Sequence, residues 1–99
     1  MSEKTVLAPR ATMYLDEEEE NYVVDFELPG VKKEDIELTI NSDIIHIHAE
    51  KTDMAYHGHV HFPLKVKHEE SEASFDNGLL KLTVPLKEKP EPLKKVDIT

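Results

Sequence analysis

Apolar and polar residues alternate with a period of two along most of this chain, the signature of strands with one face in a core and one in solvent. Residues 21–28 set Tyr22, Val24, Phe26 and Leu28 on one side and Asp25 and Glu27 on the other, until Pro29-Gly30 stops the run. Ile36, Leu38 and Ile40 alternate with Glu37 and Thr39. After the turn residues Asn41-Ser42-Asp43, Ile45, Ile47 and Ala49 alternate with His46, His48 and Glu50. That succession predicts a hairpin. Val60, Phe62, Leu64 and Val66 form another apolar face opposite His59, His61 and Lys65, with Pro63 marking a strand end or an edge. Asp76-Asn77-Gly78 is a tight-turn signal between Ala73–Phe75 and Leu79–Val84, and Leu80, Leu82 and Val84 supply the buried face of that last strand.

No window carries a helix of useful length; Lys32-Lys33-Glu34-Asp35 is at most a turn leading into a strand. Short strands separated by turn signals every 8–14 residues predict an all-β fold, an antiparallel sandwich or barrel of immunoglobulin-like type with about seven or eight strands. The first of them is expected at Thr12–Leu15. Residues 1–10 read as a short N-terminal arm, residues 11–86 as the domain and residues 87–99 as an extension. In the extension the semi-rigid Lys87–Pro92 leads to an apolar tail ending in Val96-Asp97-Ile98. The acidic run Asp16–Glu20 reads as a solvated loop.

Ninety-nine residues suit one domain with a modest core. A formal net charge of −9, with no basic cluster beyond Lys32-Lys33 and Lys94-Lys95, argues against nucleic acid or an anionic membrane as partner. Without cysteine there are no disulfides, thiolate metal sites or thiol nucleophiles. No apolar run reaches the roughly 20 residues that cross a bilayer, and Met1-Ser2-Glu3-Lys4 opens no secretory signal. A cytoplasmic location is the expectation.

Histidine is the unusual component. Five of the six fall at 46, 48, 57, 59 and 61. Period-two geometry puts His46 and His48 on one outward face, and His57, His59 and His61 on another. A hairpin around a 51–56 loop would set His48 against His59 and His46 against His61; a slip of two residues keeps the faces together, while a slip of one would bury histidines. Three readings stay open: a histidine-rich polar face, a site for zinc, nickel or copper, or a patch that gains charge on acidification. His68 reads as a surface residue. No carboxylate stands among the five at a fixed spacing except Glu50 and Asp53, which argues against a hydrolase site, and a conventional enzyme is the least supported class.

Two longer stretches resemble the small heat-shock proteins. Glu27-Leu28-Pro29-Gly30-Val31-Lys32-Lys33-Glu34-Asp35-Ile36 is similar to that family's Leu-Pro-Gly segment. Ala73-Ser74-Phe75-Asp76-Asn77-Gly78-Leu79-Leu80-Lys81-Leu82-Thr83-Val84-Pro85 resembles its Asn-Gly signature, and Val60, Phe62, Pro63 and Val66 stand at the family's spacing before it. The resemblance spans residues 12–86 and implies an α-crystallin-type sandwich. It also implies a non-enzymatic, ATP-independent holdase that keeps partly unfolded client proteins from aggregating, with no cofactor.

In that family an apolar-x-apolar tail docks in a groove on a neighbouring subunit. Val96 and Ile98 match the tail, and Ile36, Leu38, Ile40, Ala73 and Phe75 would form the groove; the alternative is that Val96 and Ile98 complete their own chain's sheet. The resemblance implies a homo-oligomer. Three features depart from the family pattern: the short arm, Ser71 where an apolar residue is usual, and only nine residues between Glu50 and Val60. That connection leaves room for a hairpin turn but not for the usual strand exchange, so the family's usual dimer contact is not expected, and a monomer or a dimer made another way stays open beside the homo-oligomer. The alternative functions are an adaptor module similar to the CS domain, which shares the sandwich topology, and a histidine-rich metal-binding β protein.

Overall fold

A computed structural model describes residues 4–99. Among them are eight strands, β1 (Thr5–Leu7), β2 (Arg10–Leu15), β3 (Asn21–Glu27), β4 (Ile36–Ile40), β5 (Ile44–Glu50), β6 (Met54–His61), β7 (Glu72–Asp76) and β8 (Leu79–Pro85). Single 3-10 turns at Lys33–Asp35 and His68–Glu70 precede β4 and β7. The strands make two four-stranded sheets, in the orders β1-β6-β5-β4 and β2-β3-β8-β7. All neighbours are antiparallel except β1 and β6. The protein is the all-β sandwich that the alternation predicts.

The core lies where the period-two faces meet. Tyr22, Val24, Phe26 and Leu28 come from β3 and its end, Ile45, Ile47 and Ala49 from β5, and Leu80, Leu82 and Val84 from β8. Central strands β3 and β5 are paired on both sides, so their inward residues are the most enclosed; Val24, Ile45, Ile47 and Ala49 have no accessible surface. Ile36, Leu38 and Ile40 of β4 are only half-buried and pack against this core from an edge.

The two stretches that carry the family resemblance touch each other. Leu28-Pro29-Gly30-Val31 closes with the Val31 N–H donating to the Leu28 carbonyl at 3.3 Å, and Gly30 takes the φ of +79° that a type II turn requires after proline. Asn77 and Gly78, at φ +48° and +79°, make the two-residue hairpin between β7 and β8. The Leu28 N–H donates to the Gly78 carbonyl at 2.7 Å, and a Cβ on Gly78 would lie 3.2 Å from Pro29 Cα. Gly78 thus serves both its own turn and the approach of another backbone.

The structure corrects three boundaries. The arm is not loose throughout: Thr5–Leu7 pairs in parallel with Met54–Tyr56, and β2 begins at Arg10 rather than Thr12. Its three side chains are all exposed, so backbone pairing to an open edge holds it, and no apolar pattern announces that. The strand expected through Val66 ends at His61; Pro63 offers no N–H, Leu64 turns outward, and Val66 makes an isolated bridge to Leu86. The loop expected at 51–56 is the two-residue turn Thr52-Asp53, closed by the Lys51 N–H donating to the Met54 carbonyl at 2.8 Å.

Ser71, where the family pattern has an apolar residue, donates its hydroxyl to the His68 carbonyl at 2.7 Å and so secures the turn before β7.

Candidate functional site

Two features stand out on this frame, an apolar groove between the sheet edges and a histidine ladder on one outer face. The groove exists because β4 and β7 are both edge strands and lie on the same side of the sandwich. Ile36 and Leu38 from β4, Ala73 and Phe75 from β7, Leu80 from β8 and Lys33 line a space of about 210 Å³. Four of the five residues expected for the groove are brought together there; Ile40, farther along β4, is not among its lining residues. An edge strand offers unpaired N–H and carbonyl groups, so this groove combines backbone hydrogen bonding with apolar contact.

Residues beyond Pro85 form no strand. Val96 and Ile98, at 72% and 99% exposed, complete no sheet of their own chain, and Leu93 is 98% exposed. The radius of gyration, 16.1 Å, exceeds the roughly 13 Å of a compact domain this long, as a projecting tail requires. Val96 stands nine positions beyond Lys87, an extended reach of roughly 30 Å.

The histidines gather as the alternation predicts, in a register shifted by two residues: His46 lies opposite His59, His48 opposite His57, and His61 opposite Ile44. The short Thr52-Asp53 turn sets that shift. Ring centroids are 5.9 Å apart for His46–His59, 5.6 Å for His48–His57 and 5.6 Å for His59–His61. The Nδ1 atoms of His48 and His57 approach to 3.4 Å. Glu50 bridges the edge of the ladder, accepting from His48 Nε2 at 3.3 Å and from Lys4 Nζ at 3.4 Å. Those bonds, His48 first and then Lys4, hold the Glu50 carboxyl below its usual range. No three His, Cys, Asp or Glu side chains among the described residues converge on one point as a metal cage would require. His68 stands apart, with Nδ1 3.2 Å from a Glu69 oxygen.

The sequence reading missed Asp16. One of its oxygens accepts the N–H groups of Glu20 and Asn21 at 2.9 and 3.2 Å, and the other accepts the Asn21 side-chain amide at 2.7 Å. The signal was an aspartate opening a five-residue acidic connection before asparagine, a pattern suited to a side-chain turn.

The profile of the Hsp20/alpha crystallin family matches residues 14–99, which includes both sheets' central strands, the groove and the tail. The chain belongs to the Hsp20/alpha crystallin family. Among relatives of this small heat shock protein, "Small heat shock protein C4" of Rickettsia felis is 32% identical over 110 residues, covering 95% of this chain and 66% of the relative. "Heat shock protein 16" of Schizosaccharomyces pombe is 32% identical over 93 residues, covering 76% and 65%. The chain therefore spans a little under two thirds of the length of those curated relatives.

Among solved structures, heat shock protein 16.0 from Schizosaccharomyces pombe superposes with a TM-score of 0.74 at 28% identity, covering 93% of this chain and 98% of that one. A small heat-shock protein from Xylella fastidiosa gives 0.69 at 18% identity, covering 93% and 96%, a likeness of fold. No helix among the described residues is long and apolar enough to cross a membrane.

Proposed function

We propose that this small heat shock protein is an ATP-independent holdase of the cytoplasm, assembled through its own tail and holding partly unfolded proteins on exposed apolar surface. The observation that carries the reading is the pairing, within one sequence, of an apolar edge groove with an exposed Val96-x-Ile98 segment on a long tether. Laid along an edge, an extended segment forms backbone hydrogen bonds, and its alternate side chains, Val96 and Ile98, fall on one face and fit adjacent apolar contacts. The tail of one copy entering the groove of the next makes a homo-oligomer from a chain whose 51–53 connection leaves no segment to exchange. Release of the tail exposes the same apolar groove to an extended segment of a client. Nothing in this scheme calls for nucleotide or a catalytic group. The charge of −9 keeps a complex loaded with apolar client in solution.

The test is suppression of light scattering by a heat-denatured client, without ATP, at equimolar to several-fold excess of the folded protein. The reading predicts suppression that weakens when Phe75→Asp places a charge in the groove. No suppression at several-fold excess would overturn it, and a monomeric chain inactive in this assay would point to the adaptor reading.

A further inference from the structure

The histidine ladder has no part in the groove-and-tail scheme, and its ends differ. His46 and His59 face each other with rings tilted at 44° and make no side-chain hydrogen bond among the described residues. His48 and His57 present the same ring nitrogen, Nδ1, to each other at 3.4 Å. Two nitrogens bound to one tetrahedral zinc ion at 2.0–2.1 Å stand about 3.3–3.4 Å apart. The pair is spaced as two ligands of a single ion are spaced.

The group behind His48 fits the same reading. The Glu50 carboxylate can only accept from His48 Nε2, so a neutral His48 carries its proton there and leaves Nδ1, 3.4 Å from His57 Nδ1, as the free donor atom. Metal-bound imidazoles commonly have this carboxylate on the far nitrogen, fixing the tautomer and raising the basicity of the donor. The second oxygen of Glu50 is held by Lys4, which orients the carboxylate. Without metal, a neutral His57 with its proton on Nδ1 can donate to His48 Nδ1; for both Nδ1 atoms to bind one ion, that proton must shift to Nε2 of His57, an exposed residue. The supports are stiff: β5 and β6 pair through seven residues, and Ile47 and Ala49, flanking His48, are fully buried.

We infer that His48 and His57, backed by Glu50, bind one divalent transition-metal ion of the imidazole-preferring class, zinc or nickel, on the outer face of the β1-β6-β5-β4 sheet. The described residues supply two donors and water completes the shell, since no third ligating side chain among them converges there. Glu37, opposite His48 on β4, adds negative charge to the same face. This site is independent of the holdase reading, and its test reads neither assembly nor client.

Calorimetric titration of the full chain with Zn²⁺, and separately Ni²⁺, at slightly alkaline pH in a weakly coordinating buffer should show one ion per chain with a dissociation constant well below millimolar. His48→Asn and His57→Asn should each weaken binding at least tenfold, and Glu50→Gln about tenfold. His46→Asn should leave it within about twofold. Zinc should raise the melting temperature of the parent but not of His48→Asn, while the two melt alike without metal. Binding no tighter than millimolar, a loss that follows His46 in place of His48 and His57, or one ion per two chains would each overturn the assignment.

Discussion

At Asp16 a single carboxylate organises the connection between β2 and β3. It accepts three hydrogen bonds across the acidic turn, and the Asn21 amide is the largest of the influences that hold its pKa below the usual 3.8. A folded pKa below the unfolded one adds stability that is complete above the unfolded value and disappears as pH falls through the folded one. Asp16→Asn is therefore expected to be less stable than the parent at neutral pH and to converge with it as the pH drops below the carboxylate range. Urea unfolding at pH 7, 5 and 3 measures this; a constant gap across the series would contradict it.

Some residue-scale features were legible in the sequence because residue type alone dictates them. Asn77-Gly78 specifies a left-handed two-residue turn, and Pro29-Gly30 specifies a type II turn, whatever surrounds them. Asp16 was not legible in that way. Five acidic residues in a row read as solvated, and only folding brings the Asn21 amide to one of them.

Among the elements, β3, β5 and β8 follow directly from alternation, since their buried faces are the ones the sequence marks as apolar. β1 has no such pattern; its place depends on an open edge that only the finished sheet provides. The register of β5 and β6 escaped by two residues because apolar alternation repeats every two and cannot separate one such register from the next. The facing of the histidines survived the shift, and the identity of each pair did not.

Strand β5 is also the element on which both candidate sites rely, because it supports β4 on one side and β6 on the other. Ile47, fully buried at its centre, should cost about 2–5 kcal/mol when replaced by alanine. Chemical denaturation of Ile47→Ala checks this, and a loss below about 1 kcal/mol would mean the sandwich is not packed around β5.

For the whole molecule, length and family resemblance conveyed the sandwich and the tail, and geometry added how they relate. Four of the five expected groove residues line one space because β4 and β7 end their sheets on the same side. The tail stands clear of its own sandwich, with Ile98 99% exposed. If the tail of one copy enters the β4–β7 groove of the next, each copy gives and receives one contact, a head-to-tail arrangement that closes as a ring when its rotation allows.

The most direct measurement is the native mass by light scattering after size exclusion, on the full chain and on the double variant Val96→Asp and Ile98→Asp. If the tail links copies through the groove, the full chain has a mass several times its 11.4 kDa and the variant a smaller one. Equal masses for the two proteins, whether both monomeric or both assembled, would contradict the account.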